Sequence, residues 1–315
     1  MNFISLVCTV RDEADNIGDL LDSMLAQSRP PDEIVVNDCG SRDATAEVVR
    51  GYIARGHPIR LVSGGHNIPS GRNNAIRHAR GPLIACTDAG LTLHPHWLER
   101  IAAPLEHEEA DVVGGFFRPA PRSLFELALG ATNYREPEEI VPAQFLPFGK
   151  SVAFRKAAWE AVGGYPEWLS HSEDLVFDLA LRDAGYRFAF APDALVLFRP
   201  RESLAAFARQ YFLYARGDGQ AGLWPRRHAL RYAVYSVALL LLAGALRRPW
   251  LLAPLALGGF TYCRAPLRRL RKRAPALPWH EFVRAAALIP VIRVVGDVAK
   301  MAGYPVGKTH KPPRQ

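Results

Sequence analysis

The sequence predicts an α/β fold, a sheet with helices on both faces, followed by apolar C-terminal helices. Three observations predict it. Short β-rich apolar runs alternate with segments whose apolar residues recur at helical spacing, the rhythm of a mostly parallel sheet covered on both sides. Polar residues cluster just past the ends of successive strands. After Gly222 the composition turns apolar and basic.

The elements follow in order. Phe3 to Val10 reads as a strand, and Asn16 to Gln27 as a helix with Ile17, Leu20, Leu21, Met24 and Leu25 on one face. Strands at Glu33 to Asn37 and Ile59 to Ser63 bracket a helix from Thr45 to Ala54. Ser70 is expected to cap a helix through Ala79, ended by Gly81-Pro82. Leu83 to Thr87 is a strand and Pro95 to Leu105 a helix. Strands are expected at Asp111 to Arg118 and Phe148 to Phe154, with a short helix from Arg155 to Val162. Ser172 is expected to cap a helix from Glu173 to Ala184. Strands at Arg187 to Ala191 and Ala194 to Phe198, then a helix from Glu202 to Arg216, complete this part.

Ala229 to Leu246 is a strongly apolar stretch of about 18 residues, near the lower limit for a bilayer span, with arginine pairs on both sides. A shorter apolar stretch, Pro249 to Cys263, precedes the basic run Arg264 to Arg273, and Phe282 to Met301 is apolar with scattered charges. This pattern suits lipid headgroups and predicts a membrane hairpin with an interfacial helix. The excess of 39 Lys+Arg over 31 Asp+Glu is concentrated here among apolar runs, which argues for a membrane partner and against nucleic acid. The scattered cysteines Cys8, Cys39, Cys86 and Cys263 predict neither a zinc site nor a disulfide framework. Met1 to Val10 reads as a strand rather than a secretory signal, so the first part is expected on the cytoplasmic side of the membrane.

In a doubly wound sheet, ligands bind at the carboxyl ends of the strands. Thr9-Val10-Arg11-Asp12-Glu13 follows the first strand, Asp38-Cys39-Gly40-Ser41-Arg42-Asp43 the second, and Thr87-Asp88-Ala89-Gly90 the fourth. With Gly71-Arg72-Asn73-Asn74-Ala75-Ile76 and Ser172-Glu173-Asp174, these make five motifs in one order and spacing. In them the chain resembles a family 2 glycosyltransferase with the GT-A fold, over roughly Phe3 to Gly222.

The resemblance implies a Rossmann-like mixed sheet in a catalytic domain over 1–222, and the change of composition after Gly222 predicts a membrane-associating helical region with a basic tail over 223–315. It implies a nucleoside-diphosphate sugar as donor, bound by Thr9, Arg11, Glu13, Asp38, Gly71, Arg72, Asn73 and Asp88. Asp174, paired with Glu173, matches the family's general base, which takes a proton from the acceptor hydroxyl and so inverts the anomeric carbon. In the first turn of its helix, the macrodipole favours that carboxylate. Asp178, one turn on, reads as a structural partner.

Two departures bear on charge. Gly90 stands where the family's D-x-D motif has its second acid, so Asp88 is left as the one motif carboxylate for Mg²⁺ or Mn²⁺. Phe198-Arg199 stands where the family often has a histidine. Metal binding is therefore expected to be weaker, with Arg199 or Arg216 assisting the diphosphate leaving group. His94, His96 and His171 read as surface or cap histidines. Gln210 and Arg216 match an acceptor motif only in part, which disfavours a processive synthase. Tyr211, Tyr214 and Trp224 suit either a sugar ring or a membrane interface. The acceptor implied is a lipid or lipid-linked glycan; the alternatives are a processive polysaccharide synthase or a catalytically inactive scaffold. Oligomeric state is not legible.

Overall fold

The computed structural model describes residues 2–310. In chain order the elements are β1 (Ile4–Val10), α1 (Ile17–Leu25), β2 (Glu33–Asp38), α2 (Thr45–Ala54), β3 (Ile59–Ser63), α3 (Ile68–His78), β4 (Leu83–Asp88), β5 (Leu91–Leu93), α4 (Trp97–Glu106) and β6 (Val112–Pro119). There follow α5 (Leu124–Asn133), β7 (Ser151–Arg155), α6 (Lys156–Ala161), α7 (Glu173–Asp183), β8 (Phe188–Phe198), α8 (Leu204–Gln220), α9 (Pro225–Ala245), α10 (Leu252–Arg273) and α11 (Trp279–Thr309). Among the described residues they fall into two compact units, one within 2–120 and 137–199, the other within 121–136 and 200–310.

The first unit holds one mixed sheet in the order β3-β2-β1-β4-β7-β6-β8-β5. The four strands β1 to β4 run parallel, and β7 and β5 are antiparallel to their neighbours. Strand β2 is buried throughout and β1 nearly so, as expected of central strands covered on both sides. Alternation along β7 sends Val152 and Phe154 to a core with Ile76 of α3, Trp159 of α6 and Phe177 of α7. It sends Ser151 to the opposite face, where its hydroxyl accepts from Trp97 Nε1 of α4 at 2.9 Å.

Several expectations need correction. Asn67, not Ser70, caps α3; Ser70 is the third residue of a reciprocal capping box. Ser172 stands at the start of α7 with φ 65° and makes no side-chain cap bond. The two strands expected between Arg187 and Phe198 are one, β8, with a register irregularity opposite Gly114 to Phe116. Strand β7 starts at Ser151, because Phe148 to Lys150 form a turn in which Ser151 N donates to Phe148 O at 2.9 Å. Helix α5 and strand β5 were not legible in the sequence.

The second unit has its own core, in which Leu129 of α5, Phe207 of α8, Leu270 of α10 and Ile289 and Ile292 of α11 meet. Helix α8 therefore groups with the C-terminal helices, so the units do not divide at the 222/223 boundary expected from composition. Part of the basic run is structural: Arg273 Nε pairs with Glu136 at 2.6 Å and its NH2 donates to Tyr134 O at 2.8 Å. Helix α9 is long and apolar enough to cross a membrane, and only 6% of its most apolar window is buried. Arg231 lies within that stretch and is neutralised by Asp297 of α11 at 2.8 Å.

Candidate active site

Strand order reverses around β1, with β2 on one side and β4 on the other, which opens a crevice beyond their carboxyl ends. Register sets the crevice residues side by side: Thr9 is opposite Asp88 on β4, and Val10 is opposite Asp38 on β2. The hydroxyls of Thr9 and Thr87 are buried there and have no hydrogen-bond partner among the described residues.

Helix α3 starts against this crevice. A Cβ on Gly71 would lie 2.4 Å from Cys39 Sγ and 2.6 Å from Thr9 Cγ2, so only glycine lets the helix approach so closely. The next residue, Arg72, is 2% exposed. Its NH2 pairs with Asp88 Oδ1 at 2.6 Å, its NH1 lies 3.6 Å from Glu173 Oε1, and its Cζ is 4.9 Å from the Tyr165 ring centre. Burial opposes the guanidinium charge, but Asp88, then Tyr165 and Glu173, outweigh it and hold Arg72 well above its ordinary range.

Three carboxyl groups of α7 sit in different surroundings. Glu173 is buried, and burial, then the Asp174 charge, push it up to about 7. Asp178 is 2% exposed with Oδ2 unpartnered; burial first, then the Asp174 charge, push its carboxyl well above the ordinary range. Asp174 is only half-buried, and Oδ2 accepts from Gly149 N at 3.2 Å while Oδ1 accepts from Leu175 N at 2.8 Å. Carboxyls whose surroundings differ this much can take different parts in acid–base chemistry.

The other expected residues divide. Asp38 Oδ1 accepts from both N and Oγ of Ser41, which shapes the loop after β2. Arg11 is exposed at the end of β1, 4.0 Å from Asp12. Glu13 Oε2 accepts from Asn16 Nδ2 at 3.0 Å, and its backbone N–H donates to Thr45 Oγ1 at 2.8 Å. Asn73 does not line an open cleft. It is 2% exposed, donates to Tyr165 O and Glu167 Oε1, and accepts from Trp159 Nε1 and Tyr165 N, so it braces the segment before α7. Leu91 of β5 pairs with Phe198 of β8, and Arg199 follows directly after that strand. Gln210 and Arg216 belong to α8 in the second unit, where Gln210 donates to Tyr214 at 2.9 Å.

The side chains do not compose a cage for a divalent cation. Asp88 is engaged by Arg72, Gly90 has φ 72° with open space where a side chain would be, and no group of three His, Cys, Asp or Glu among the described residues could hold a metal.

Two contributors escaped the sequence reading. Gly149 touches both halves of the site: its N–H meets Asp174, and a Cβ there would lie 2.8 Å from Arg72 NH1. Tyr165 lies under the Arg72 guanidinium. Gly149 sits in a run that reads as strand, and Tyr165 carries no motif; their only signal is contact across the fold.

Comparison with known proteins gives the family and the fold. The model described as glycosyl transferase family 2 matches residues 5–158, and that of glycosyl transferase family group 2 matches residues 83–290. Glycosyltransferase AglE of Haloferax volcanii is 28% identical over 256 residues, covering 78% of this chain and 82% of its own. Succinoglycan biosynthesis protein ExoA of Rhizobium meliloti is 27% identical over 67% of this chain and 68% of its own. The fold matches that of mannosyltransferase PcManGT from Pyrobaculum calidifontis, solved with GDP-Man and Mn²⁺, at a TM-score of 0.56 and 20% identity over 98% of this chain and 86% of that one. It also matches residues 1–349 of S. aureus TarS, solved with UDP-GlcNAc, at 0.53 and 17% identity over 100% and 93%.

Proposed function

The chain belongs to the family 2 glycosyltransferases and depends on a nucleotide sugar, and we propose that it moves one sugar, with inversion, to a hydroxyl of a lipid or lipid-linked glycan at a membrane. One observation carries the reading: the Asp174 carboxylate, oriented by the Gly149 N–H, belongs to the same side-chain cluster as the Arg72–Asp88 pair at the end of β4.

In this mechanism the nucleoside lies across the ends of β1 and β2, with Asp38, Thr9 and Arg11 toward it. The donor sugar lies toward Asp88, whose side chain stays partly exposed although Arg72 holds it. Asp174 takes the proton of the acceptor hydroxyl as that oxygen bonds to the anomeric carbon. The bond from that carbon to the diphosphate oxygen breaks on the opposite side, and its electron pair leaves with the nucleoside diphosphate. Arg199, just past the end of β8, offsets the charge that develops there. Arg72 and Gly149 act as positioning residues. With Asp88 engaged by Arg72 and Gly90 lacking a side chain, metal dependence is weak.

A membrane location rests on the exposed apolar surface of α9. Similarity to the succinoglycan biosynthesis protein ExoA favours a glycan as the product class.

The test is donor hydrolysis by the protein in detergent, against a panel of nucleoside-diphosphate sugars, with Mg²⁺, Mn²⁺ or chelator, beside Asp174→Asn. Slow release of nucleoside diphosphate from one donor, lost in the variant, is expected. If no donor binds under any condition, the reading fails.

A further inference from the structure

The carboxyl edge of the sheet continues past the crevice. Strand β7 is antiparallel to both β4 and β6, and β8 is parallel to β6, so β4, β6 and β8 end at one edge and β7 starts there. Phenylalanines gather at that edge. The Phe117 ring, near the end of β6, meets the rings of Phe148 and Phe198 edge to face at 4.8 and 5.5 Å. Phe148 stands just before β7, and Phe198 is the last residue of β8. Lys150 reaches into this group from the turn before β7. Its Nζ lies 3.9 Å from the Phe117 ring centre, 4.4 Å from that of Phe198 and 5.8 Å from that of Phe148.

A ring face attracts a cation without cancelling its charge, and here it fixes a long side chain that is otherwise costly to order. The ammonium is held in one place before any ligand arrives. Two sets of neighbours put that place next to the chemistry. Lys150 lies between Gly149, whose N–H meets Asp174, and Ser151, which pairs with Thr87 beside Asp88. Phe198 precedes Arg199 and pairs with Leu91, which directly follows Asp88-Ala89-Gly90. The turn before β7, the end of β8 and the start of β5 therefore meet at Phe198. At this corner of the sheet Asp88 is engaged by Arg72, and Gly90 stands in place of a second acid.

A site poor in metal ligands still has to offset the charge of a departing diphosphate, and a cation fixed in advance does so without rearranging. We propose that Lys150, held by Phe117, Phe148 and Phe198, is a catalytic residue that meets the departing nucleoside diphosphate, in the role a divalent ion would otherwise fill. Its ammonium donates a hydrogen bond to the diphosphate oxygen that receives the electron pair of the broken anomeric bond. Lys150 keeps its proton, and the proton of the acceptor goes to Asp174. This rests on the transfer reading above and adds a second cation to Arg199.

The experiment titrates the full chain in detergent with UDP, GDP, ADP, CDP and dTDP, and with the corresponding monophosphates, by calorimetry. Lys150→Met keeps the apolar stem and removes the charge. It should weaken the diphosphate that the parent binds about tenfold, the yield of one charge-assisted contact, and leave the monophosphate unchanged. Its donor hydrolysis should fall about 10²-fold and be partly restored by Mn²⁺, which the diphosphate itself helps to bind. Lys150→Arg should retain diphosphate binding. Phe148→Leu removes one ring and no charge; it should weaken the diphosphate about threefold, and it decides alone if Lys150→Met does not fold. Equal losses for diphosphate and monophosphate overturn the proposal, since the residue would then only shape the fold. Unchanged diphosphate affinity in Lys150→Met overturns it too and leaves the transfer reading standing. A parent chain that binds none of the diphosphates sinks the transfer reading, and this proposal with it.

Discussion

Arg72 and Asp88 form a 2.6 Å ion pair in which the arginine side chain is almost wholly buried and the aspartate is not. The pair joins the second turn of α3 to the end of β4, and through Glu173 it reaches the start of α7. Replacing Arg72 by methionine leaves Glu173 buried without its cation. A loss of about 3–5 kcal/mol in unfolding free energy is expected, as for a broken buried pair. Denaturant titration measures it; a change within 1 kcal/mol, by the same measure about a fifth of that, would show that the pair is dispensable.

Asp174→Asn should lower kcat by about 10²- to 10⁴-fold, the range for loss of a general base, with donor affinity kept. Asp178→Asn should keep turnover within about threefold of the parent, because Asp178 is buried away from the acceptor side and an amide of the same shape fills its place. Steady-state kinetics on both variants checks this. A larger defect at Asp178 than at Asp174 would reverse the assignment.

Gly90 and Arg199 set the expectation for metal. Wild-type turnover should change less than about threefold in chelator, since one motif carboxylate is missing. Gly90→Asp should restore a ligand, at a φ of 72° that aspartate tolerates better than most residues, and raise stimulation by Mn²⁺. Arg199→Ala should lower kcat about tenfold or more, as when a leaving-group contact is removed. Full activity in Arg199→Ala together with full loss in chelator would defeat the idea.

Glu173 also links stability to pH. Its folded-state value is raised to about 7 from an ordinary value of 4.5. Between those limits the folded chain holds the proton more tightly than the unfolded chain. Its contribution is therefore fully present below about 4.5 and lost as pH rises through about 7. Glu173→Gln should flatten that fall, by on the order of 1–3 kcal/mol across the window. Chemical denaturation at pH 5 and pH 8 compares the two proteins, and equal slopes would show that Glu173 is not buried as an acid.

The sequence by itself determined the alternation of strands and helices, the polar residues at the ends of β1, β2 and β4, and the acids that open α7. These are local signals: periodicity, caps and turn residues act within a few positions of one another. It could not order the sheet. Strand β7 inserts antiparallel between β4 and β6, and that choice rests on side-chain packing between residues far apart in the chain. Asn73 shows the same limit within a motif, because its four hydrogen bonds to Trp159, Tyr165 and Glu167 exist only once α3 meets the segment before α7. Gly149 read as part of a strand until the turn before β7 set its N–H on Asp174. Tertiary structure decided these points because burial and hydrogen-bond satisfaction depend on neighbours that no local pattern names.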